Sequence, residues 1–347
     1  MELYLFRPER WQELYNCNKI NISDVPLEER YHPLNGTIII LLFILFEILY
    51  TPCVYSIYKH RALSCYKFLF FIGIVDMAML FIHGLATGIY CFTSEMFCSH
   101  PNLTFILGTI ATGLYCMQTC ANIFLALDRC TDSFSTKISD FFFSGTYLSV
   151  FFRFSSSEPI RARTWIWIFC SFLFGIYNFL FINPGLYNGI YMNWFENPYF
   201  GYSIEINLNE YVNFVNLWYD LFLAFGFPTI YLFFIVMFCM RLKEIKAIAN
   251  IEQRKLKITV FIQIAMIIGL NIPSSLIFFI MQHLPLHKIM VLFGYYVNYF
   301  VFGFPPLIYL SFNKTIRTDA KKLLRKTKGF LFKLKINPAN NNNTILH

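Results

Sequence analysis

The sequence predicts an all-α membrane protein built as a seven-helix bundle, and three observations carry that reading. Of the 347 residues 57% are hydrophobic and only 14% charged, with 42 Phe and a mean hydropathy of +0.51, which is too apolar for a soluble domain. Seven apolar stretches separate along the chain, at about 37–57, 66–90, 103–127, 165–182, 212–240, 256–281 and 289–312. A bilayer core needs roughly 20 residues at about 1.5 Å rise each, so helices fit these lengths. None shows the alternation of a barrel strand. Finally, with the first span running inward, 23 of the 28 Lys and Arg fall on one side, leaving Arg7, Arg10, Lys19, Arg30 and Lys288 on the other. The positive-inside rule then puts the N-terminus outside and the C-terminus in the cytosol. The net charge of +8 follows from those inner loops rather than from a nucleic-acid partner.

Residues 1–36 form an outer segment without a signal-peptide pattern, so the first span is expected to target the chain. Asn21-Ile22-Ser23 and Asn35-Gly36-Thr37 are outward sequons, making Asn21 and Asn35 possible glycosylation sites. Asn313-Lys314-Thr315 matches too, but faces the cytosol. The outer connection 183–211 carries Glu196, Glu205 and Glu210, no base, and many aromatics. These aromatics fit an interfacial belt, with a lid over a cavity as the other reading. Between the third and fourth spans an insertion at about 133–160 contains Phe141-Phe142-Phe143 and the apolar run 147–154, too short to cross. It is expected to lie at the interface or to be poorly ordered, with an error in the gene model as the other reading. After the transmembrane region (37–312) the tail 313–347 begins with an amphipathic helix over about 312–325, with apolar residues at helical spacing among bases. Such a helix suits membrane lipids with anionic headgroups.

The third span ends in Asp128-Arg129-Cys130 and bears Tyr115, Gln118, Thr119 and Asn122 at helical spacing. One face is therefore polar, and in hydrocarbon it must meet protein or trapped water. For Thr119 and Asn122, hydrogen bonding between helices suffices. For Arg129 it explains little. Acids inside spans cost about 2.5 to 3.5 kcal/mol each on insertion scales. Asp76, near mid-span, is the leading candidate, with Asn122 or Asn298 as neighbours, while Glu47 and Asp220 fit structural hydrogen-bonding roles. Ten cysteines form no CxxC pair, and Cys53, Cys116, Cys120, Cys170 and Cys239 lie in apolar spans, where burial is expected. His283 and His287 are four apart but flank Pro285 in a short turn, so no metal site and no cofactor is implied. A retinal-binding mid-span lysine is also missing from the last helix, where Lys288 sits at the edge.

Seven spans, Asp128-Arg129 closing the third and Pro306-Leu307-Ile308-Tyr309 closing the seventh resemble a G-protein-coupled receptor. The likeness sharpens at Leu63-Ser64-Cys65-Tyr66-Lys67, Gly73-Ile74-Val75-Asp76-Met77, Phe97-Cys98-Ser99-His100-Pro101 and Leu125-Ala126-Leu127-Asp128-Arg129-Cys130. It continues through Arg163-Thr164-Trp165-Ile166-Trp167, Ile190-Tyr191-Met192-Asn193-Trp194-Phe195, Asn197-Pro198, and Asn313-Lys314-Thr315-Ile316-Arg317. As a set these motifs resemble the nematode serpentine receptor class T family over about residues 15–325. The resemblance implies that Arg129 is a switch at the G-protein face held by Asp128, that Asp76 is the acid of the second helix, and that Tyr309 swings inward on activation. Pro305 stands where many such receptors have Asn. No cysteine follows the fourth span on the outer side, so the usual bond from that loop to the third helix cannot form. Cys17, Cys91 and Cys98 remain as outward thiols, and a Cys17–Cys98 pair tying the N-terminal segment over the bundle is the hypothesis carried forward.

The expected function is detection of a small external ligand between helices three, five, six and seven, with signalling through a heterotrimeric G protein. Tyr115, Gln118 and Thr119 would line the pocket, facing Asn216, Tyr219 and Asp220. No catalytic residue is assigned. Two alternatives stay open: a seven-span transporter or ion pathway using Asp76, Asp220 and Glu47, and a receptor whose coupling the 133–160 insertion has abolished.

Overall fold

The computed structural model describes residues 1–19, 22–134, 163–202, 211, 221–226, 228–230, 232–233, 235–236, 239–240, 251–283 and 287–336. Of the 133–160 insertion only 133 and 134 are among them. Asn21, Asn216, Tyr219 and Asp220 lie outside the described residues.

Short helices α1 (Glu2–Phe6), α2 (Pro8–Leu14) and α3 (Leu27–Arg30) lead into α4 (Pro33–Lys59). The second stretch is α5 (Ser64–Leu80), a π-helical turn at Phe81–Ala86, and α6 (Thr87–Thr93). α7 (Pro101–Phe134) and α8 (Thr164–Phe181) follow, then a hairpin of β1 (Leu186–Asn188) and β2 (Asn193–Phe195). The strands are antiparallel, with Tyr187 opposite Trp194. Within the fifth stretch Phe222–Gly226 is a π-turn. α9 (Ile251–His283), α10 (Lys288–Gly303), α11 (Pro305–Phe312) and α12 (Lys314–Ile336) complete the chain.

Among the described residues, four helical runs are long and apolar enough to cross a bilayer: Leu27–Lys59, Ser64–Thr93, Pro101–Arg129 and Thr164–Phe181. α10 and α11 together make a fifth, bent by 48°. The cause is local, because Pro305 and Pro306 lack the N–H groups a continuous helix would donate back across Phe304. Pro273 inside α9 likewise leaves one carbonyl without its partner.

Small residues let α7 and α8 approach closely. A Cβ on Gly175 of α8 would stand 2.0 Å from Met117 Cγ and 2.7 Å from the Gly113 carbonyl of α7. With lipid as solvent there is little hydrophobic drive between helices, so such close backbone approach supplies much of the packing. Two buried clusters fill the bundle. One, at the end bearing Arg129, includes Ile57, Tyr66, Phe68, Leu125 and Tyr309; the other, at the end bearing the hairpin, includes Phe46, Met79, Tyr187, Trp194 and Tyr299.

The amphipathic helix is longer than the sequence suggested. It starts after Asn313 and runs to Ile336, with Ile316 and Ala320 buried against the bundle. Asn313 separates it from α11: Oδ1 accepts from the backbone N–H groups of Thr315 (3.0 Å) and Ile316 (3.2 Å), and Nδ2 donates to the Tyr66 hydroxyl at 3.0 Å. A side chain capping a helix start is occupied, which accounts for this sequon by structure. Asp319 then fastens α12 to the end of α4, accepting from Ser56 Oγ (3.1 Å), His60 Nε2 (2.9 Å) and Lys59 Nζ (3.3 Å).

Candidate functional site

Two sites share α7, one at each end. At the arginine end, Ser64 opens α5 and donates from Oγ to both carboxylate oxygens of Asp128, at 2.7 and 2.9 Å. Arg129 Nε donates to Asp128 Oδ2 at 2.9 Å, and its terminal nitrogen donates to Asp128 and, at 3.1 Å, to Ser64 Oγ. The side chain of Asp128 is fully buried and that of Arg129 is 15% exposed. A buried carboxylate tolerates its charge only with such partners, so acid, base and hydroxyl form one interlocked unit between α5 and α7. Tyr309 of α11 is buried in the same half of the bundle, and its hydroxyl has no hydrogen-bond partner among the described residues.

At mid-bundle, Asp76 of α5 is fully buried. Its partners are neither Asn122 nor Asn298, the neighbours expected from sequence. Tyr50 of α4 donates to Oδ2 at 2.8 Å, and Gln118 Nε2 of α7 donates to Oδ1 at 3.0 Å. The Tyr50 hydroxyl also lies 2.7 Å from the Phe302 carbonyl. The two acceptors share the single Tyr50 proton. Beside this group Asn122 is buried with neither side-chain polar atom partnered among the described residues, and Gln118 Oε1, Gln263 Nε2 and Glu47 Oε1 likewise have no partner among them. Asn298 instead accepts from Ser274 Oγ of α9 at 3.1 Å.

At the hairpin end a cavity of ≈ 90 Å³ reaches into the bundle, small beside the roughly 300–1,000 Å³ of sites for drug-sized ligands. Met79 and His83 come from α5 and its π-turn, Ala111, Thr112 and Tyr115 from α7, Asn178 from α8, Asn298 from α10, and Trp194 and Glu196 from the hairpin and the residue after it. The π-turn brings His83 onto the wall, where its ring packs against Trp194 at 5.8 Å and Phe302 at 6.0 Å. Trp194 Nε1 donates to Thr87 Oγ1 at 3.1 Å, fixing the indole over the cavity. Tyr187, Trp194, Phe195 and Tyr199 are all buried. The aromatic connection is therefore a lid and not an interfacial belt.

The N-terminal segment closes over this lid. Cys17 and Cys98 are joined by a disulfide, and Leu14, Tyr15, Phe97, Phe105, Tyr199 and Tyr211 form a buried cluster beside it. Tyr211 and Tyr199 donate to the Leu14 carbonyl at 2.5 and 3.4 Å, and His32 Nε2 lies 3.0 Å from the Gly189 carbonyl. Burial, with Tyr211 nearby, holds the Tyr15 hydroxyl above the ordinary phenol range, so this cluster stays uncharged.

Against known proteins, the family described as "Serpentine type 7TM GPCR chemoreceptor Srt" matches residues 3–330. The chain belongs to that family. No curated protein matches it. The receptor is a multi-pass membrane protein of seven-transmembrane type, and its family is one of chemoreceptors, not of enzymes.

Among the residues singled out by sequence, the receptor brings together Asp128 and Arg129 at one end and places Tyr115 on the cavity wall at the other. Gln118 turns to Asp76, and Thr119 bonds the Tyr115 carbonyl of its own helix at 2.9 Å, so neither lines the cavity. The described walls come from α5, α7, α8, α10 and the hairpin, where sequence pointed to helices three, five, six and seven. Asn35 lies in the first turn of α4, and its Oδ1 accepts from the Tyr296 hydroxyl at 3.1 Å. His287 accepts from the backbone N–H of Ile289 at the start of α10, and no metal-binding cluster occurs among the described residues. Of the apolar-span thiols, Cys53 and Cys116 are buried and Cys120 is partly buried, while Cys170 and Cys239 are exposed. Sequence reasoning passed over Tyr50, Ser64, His83 and Trp194. For His83 a signal was present, since an ionisable group within a span marks a candidate site.

Proposed function

We propose that this receptor detects a small external ligand in the cavity under the hairpin and signals through a heterotrimeric G protein at Arg129. The hairpin end faces outward and α12 lies on the cytosolic leaflet, as the distribution of Lys and Arg favours. The observation that carries this reading is that one helix, α7, has Tyr115 on the cavity wall and the Asp128–Arg129–Ser64 unit at its other end. Between them lie the Asp76–Tyr50–Gln118 group and several unsatisfied polar atoms, which admit a second arrangement of the bundle. A ligand that binds better to that second arrangement shifts the population toward it. Release of Arg129 from Asp128 and inward movement of Tyr309 would then open the cytosolic face. A reporter screen of transfected cells against small molecules tests the reading. Ligands should evoke signalling that requires surface expression and is lost when the G protein is removed; responses that persist without any G protein would contradict it.

A further inference from the structure

Glu47 is an acid inside a span that neither end of the bundle uses. It sits near the middle of α4 (Pro33–Lys59), about 18 Å or more along the axis from either helix end at roughly 1.5 Å per residue. A glutamate is too short to reach the headgroups from there, as a long basic side chain near a helix end can. Sequence suggested a structural hydrogen bond for it, and the bundle does not provide one: Oε1 is buried without a hydrogen-bond partner among the described residues. Tyr299 lies within electrostatic reach, but its hydroxyl donates to the Ile39 carbonyl at 3.3 Å. Asp76, by contrast, is fully buried and held by Tyr50 and Gln118.

The surface around Glu47 is built for a close neighbour. Alternating steps of three and four residues, the spacing of a paired-helix seam, put Thr37, Ile40, Ile44, Glu47, Thr51 and Val54 on one stripe of α4, and none of the six is buried. Thr37 Oγ1 donates to the Pro33 carbonyl and Thr51 Oγ1 to the Glu47 carbonyl, each at 2.9 Å. Both hydroxyls are thus satisfied within their own helix, which leaves small side chains on either side of the acid, and small side chains let helices approach in lipid.

We infer that two copies of this chain associate in the membrane through α4, stripe against stripe, with the two Glu47 carboxyls hydrogen-bonded to each other. A carboxylic acid carries a donor and an acceptor on one group, so it is complementary to itself. All copies share one orientation in the bilayer, so Glu47 stands at one depth in each, and a two-fold axis along the membrane normal apposes the same residues. An ion pair with another face of the same chain has no base to use, because among the described residues of the spans no Lys or Arg lies away from their ends. Lipid tails offer the carboxyl nothing. In the pair each acid donates from one oxygen and accepts at the other.

The test reconstitutes the full chain in liposomes and measures energy transfer between copies bearing donor and acceptor dyes on a C-terminal tag. Transfer should rise with the protein-to-lipid ratio, beyond that of random mixing. Glu47→Gln, whose amide also donates and accepts, should associate as the wild type does. Glu47→Ala should associate about fivefold to thirtyfold more weakly, the range for a polar side-chain bond between helices in lipid. Because Glu47 holds nothing within its own chain, Glu47→Ala should leave the Tm of the monomer in detergent undiminished. Cross-linking then locates the contact in chains that keep Glu47. With the exposed thiols Cys170 and Cys239 replaced by Ser, Ile44→Cys should give an oxidant-induced dimer. Leu45→Cys, equally exposed but about 100° away around the helix, should not. The inference is overturned if the wild type mixes at random, if Glu47→Ala associates as the wild type does or lowers the monomer Tm, if Glu47→Gln is as weak as Glu47→Ala, or if Leu45→Cys cross-links as readily as Ile44→Cys. No readout involves a ligand or a G protein, so the result stands apart from the receptor reading.

Discussion

Replacing Ser64 with Ala should raise signalling in the absence of ligand. Ser64 Oγ donates to both oxygens of Asp128 and accepts from Arg129 at 3.1 Å, so the single hydroxyl joins α5 to the acid–base pair of α7. Hydrogen bonds to charged groups contribute about 1.5–3 kcal/mol. Arg129 is 15% exposed, and solvent weakens its share, so the lower figure is the better guide. If the released arrangement leaves these bonds unmade, about 1.4 kcal/mol corresponds to a tenfold change in the equilibrium. A receptor populating that arrangement at about 1% at rest would rise to about 10%. The assay is nucleotide exchange on an added G protein in membranes holding equal amounts of receptor at the surface. Ser64→Thr, which keeps the hydroxyl, should behave like the wild type. Unchanged basal exchange in Ser64→Ala at equal expression would refute the idea that this hydroxyl holds the resting state.

Four further outcomes follow from the packing. Gly175→Leu should destabilise the receptor by about 1–3 kcal/mol, the usual cost of overpacking, since even a Cβ there would stand 2.0 Å from Met117 Cγ; a lower Tm in detergent would register it. Asp76→Asn should fold, because the amide can still donate to Tyr50 and accept from Gln118, whereas Asp76→Ala should lose surface expression. Removing the Cys17–Cys98 bond, by Cys17→Ser, should expose the N-terminal segment to protease added from outside and lower ligand affinity while leaving basal signalling intact. For Asp319, burial raises the carboxyl's pKa, but hydrogen bonds from His60, Ser56 and Lys59 outweigh it and the net shift is downward. A group whose folded pKa is depressed contributes in full above its unfolded value, about 3.9, and loses that contribution as pH falls through the folded one. The distance between spin labels on α4 and α12 should therefore hold steady from pH 7 to 5 as far as Asp319 is concerned, and lengthen below about 4.

Much of the bundle was legible because lipid imposes simple demands. A run such as 37–57 must be helical when every backbone polar group needs a partner within the span, and the bases had to gather on one side. The same rule picked out Asp76, Asp128 and Arg129, since charge inside hydrocarbon needs company. What sequence did not supply was the identity of that company. Tyr50 meets Asp76 only because α4 packs beside α5 and α10, and nothing local to Tyr50-Thr51-Pro52 says so. The lid was misjudged for a related reason: an aromatic facing an interface and one buried over a cavity have the same composition, and only the pairing of Tyr187 with Trp194 across the hairpin separates them. The π-turn at Phe81–Ala86 leaves no proline or glycine-pair signature, so the position of His83 on the wall had to come from the structure.

The central claim is that α7 couples ligand binding at its hairpin end to a G protein at Arg129. The most direct test uses purified receptor in nanodiscs with a ligand from the screen, measuring ligand binding and nucleotide exchange on the G protein in the same preparation, for wild type and Arg129→Ala. Binding retained within a few-fold, with ligand-stimulated exchange abolished, is the predicted result. Stimulated exchange that survives in Arg129→Ala would contradict it.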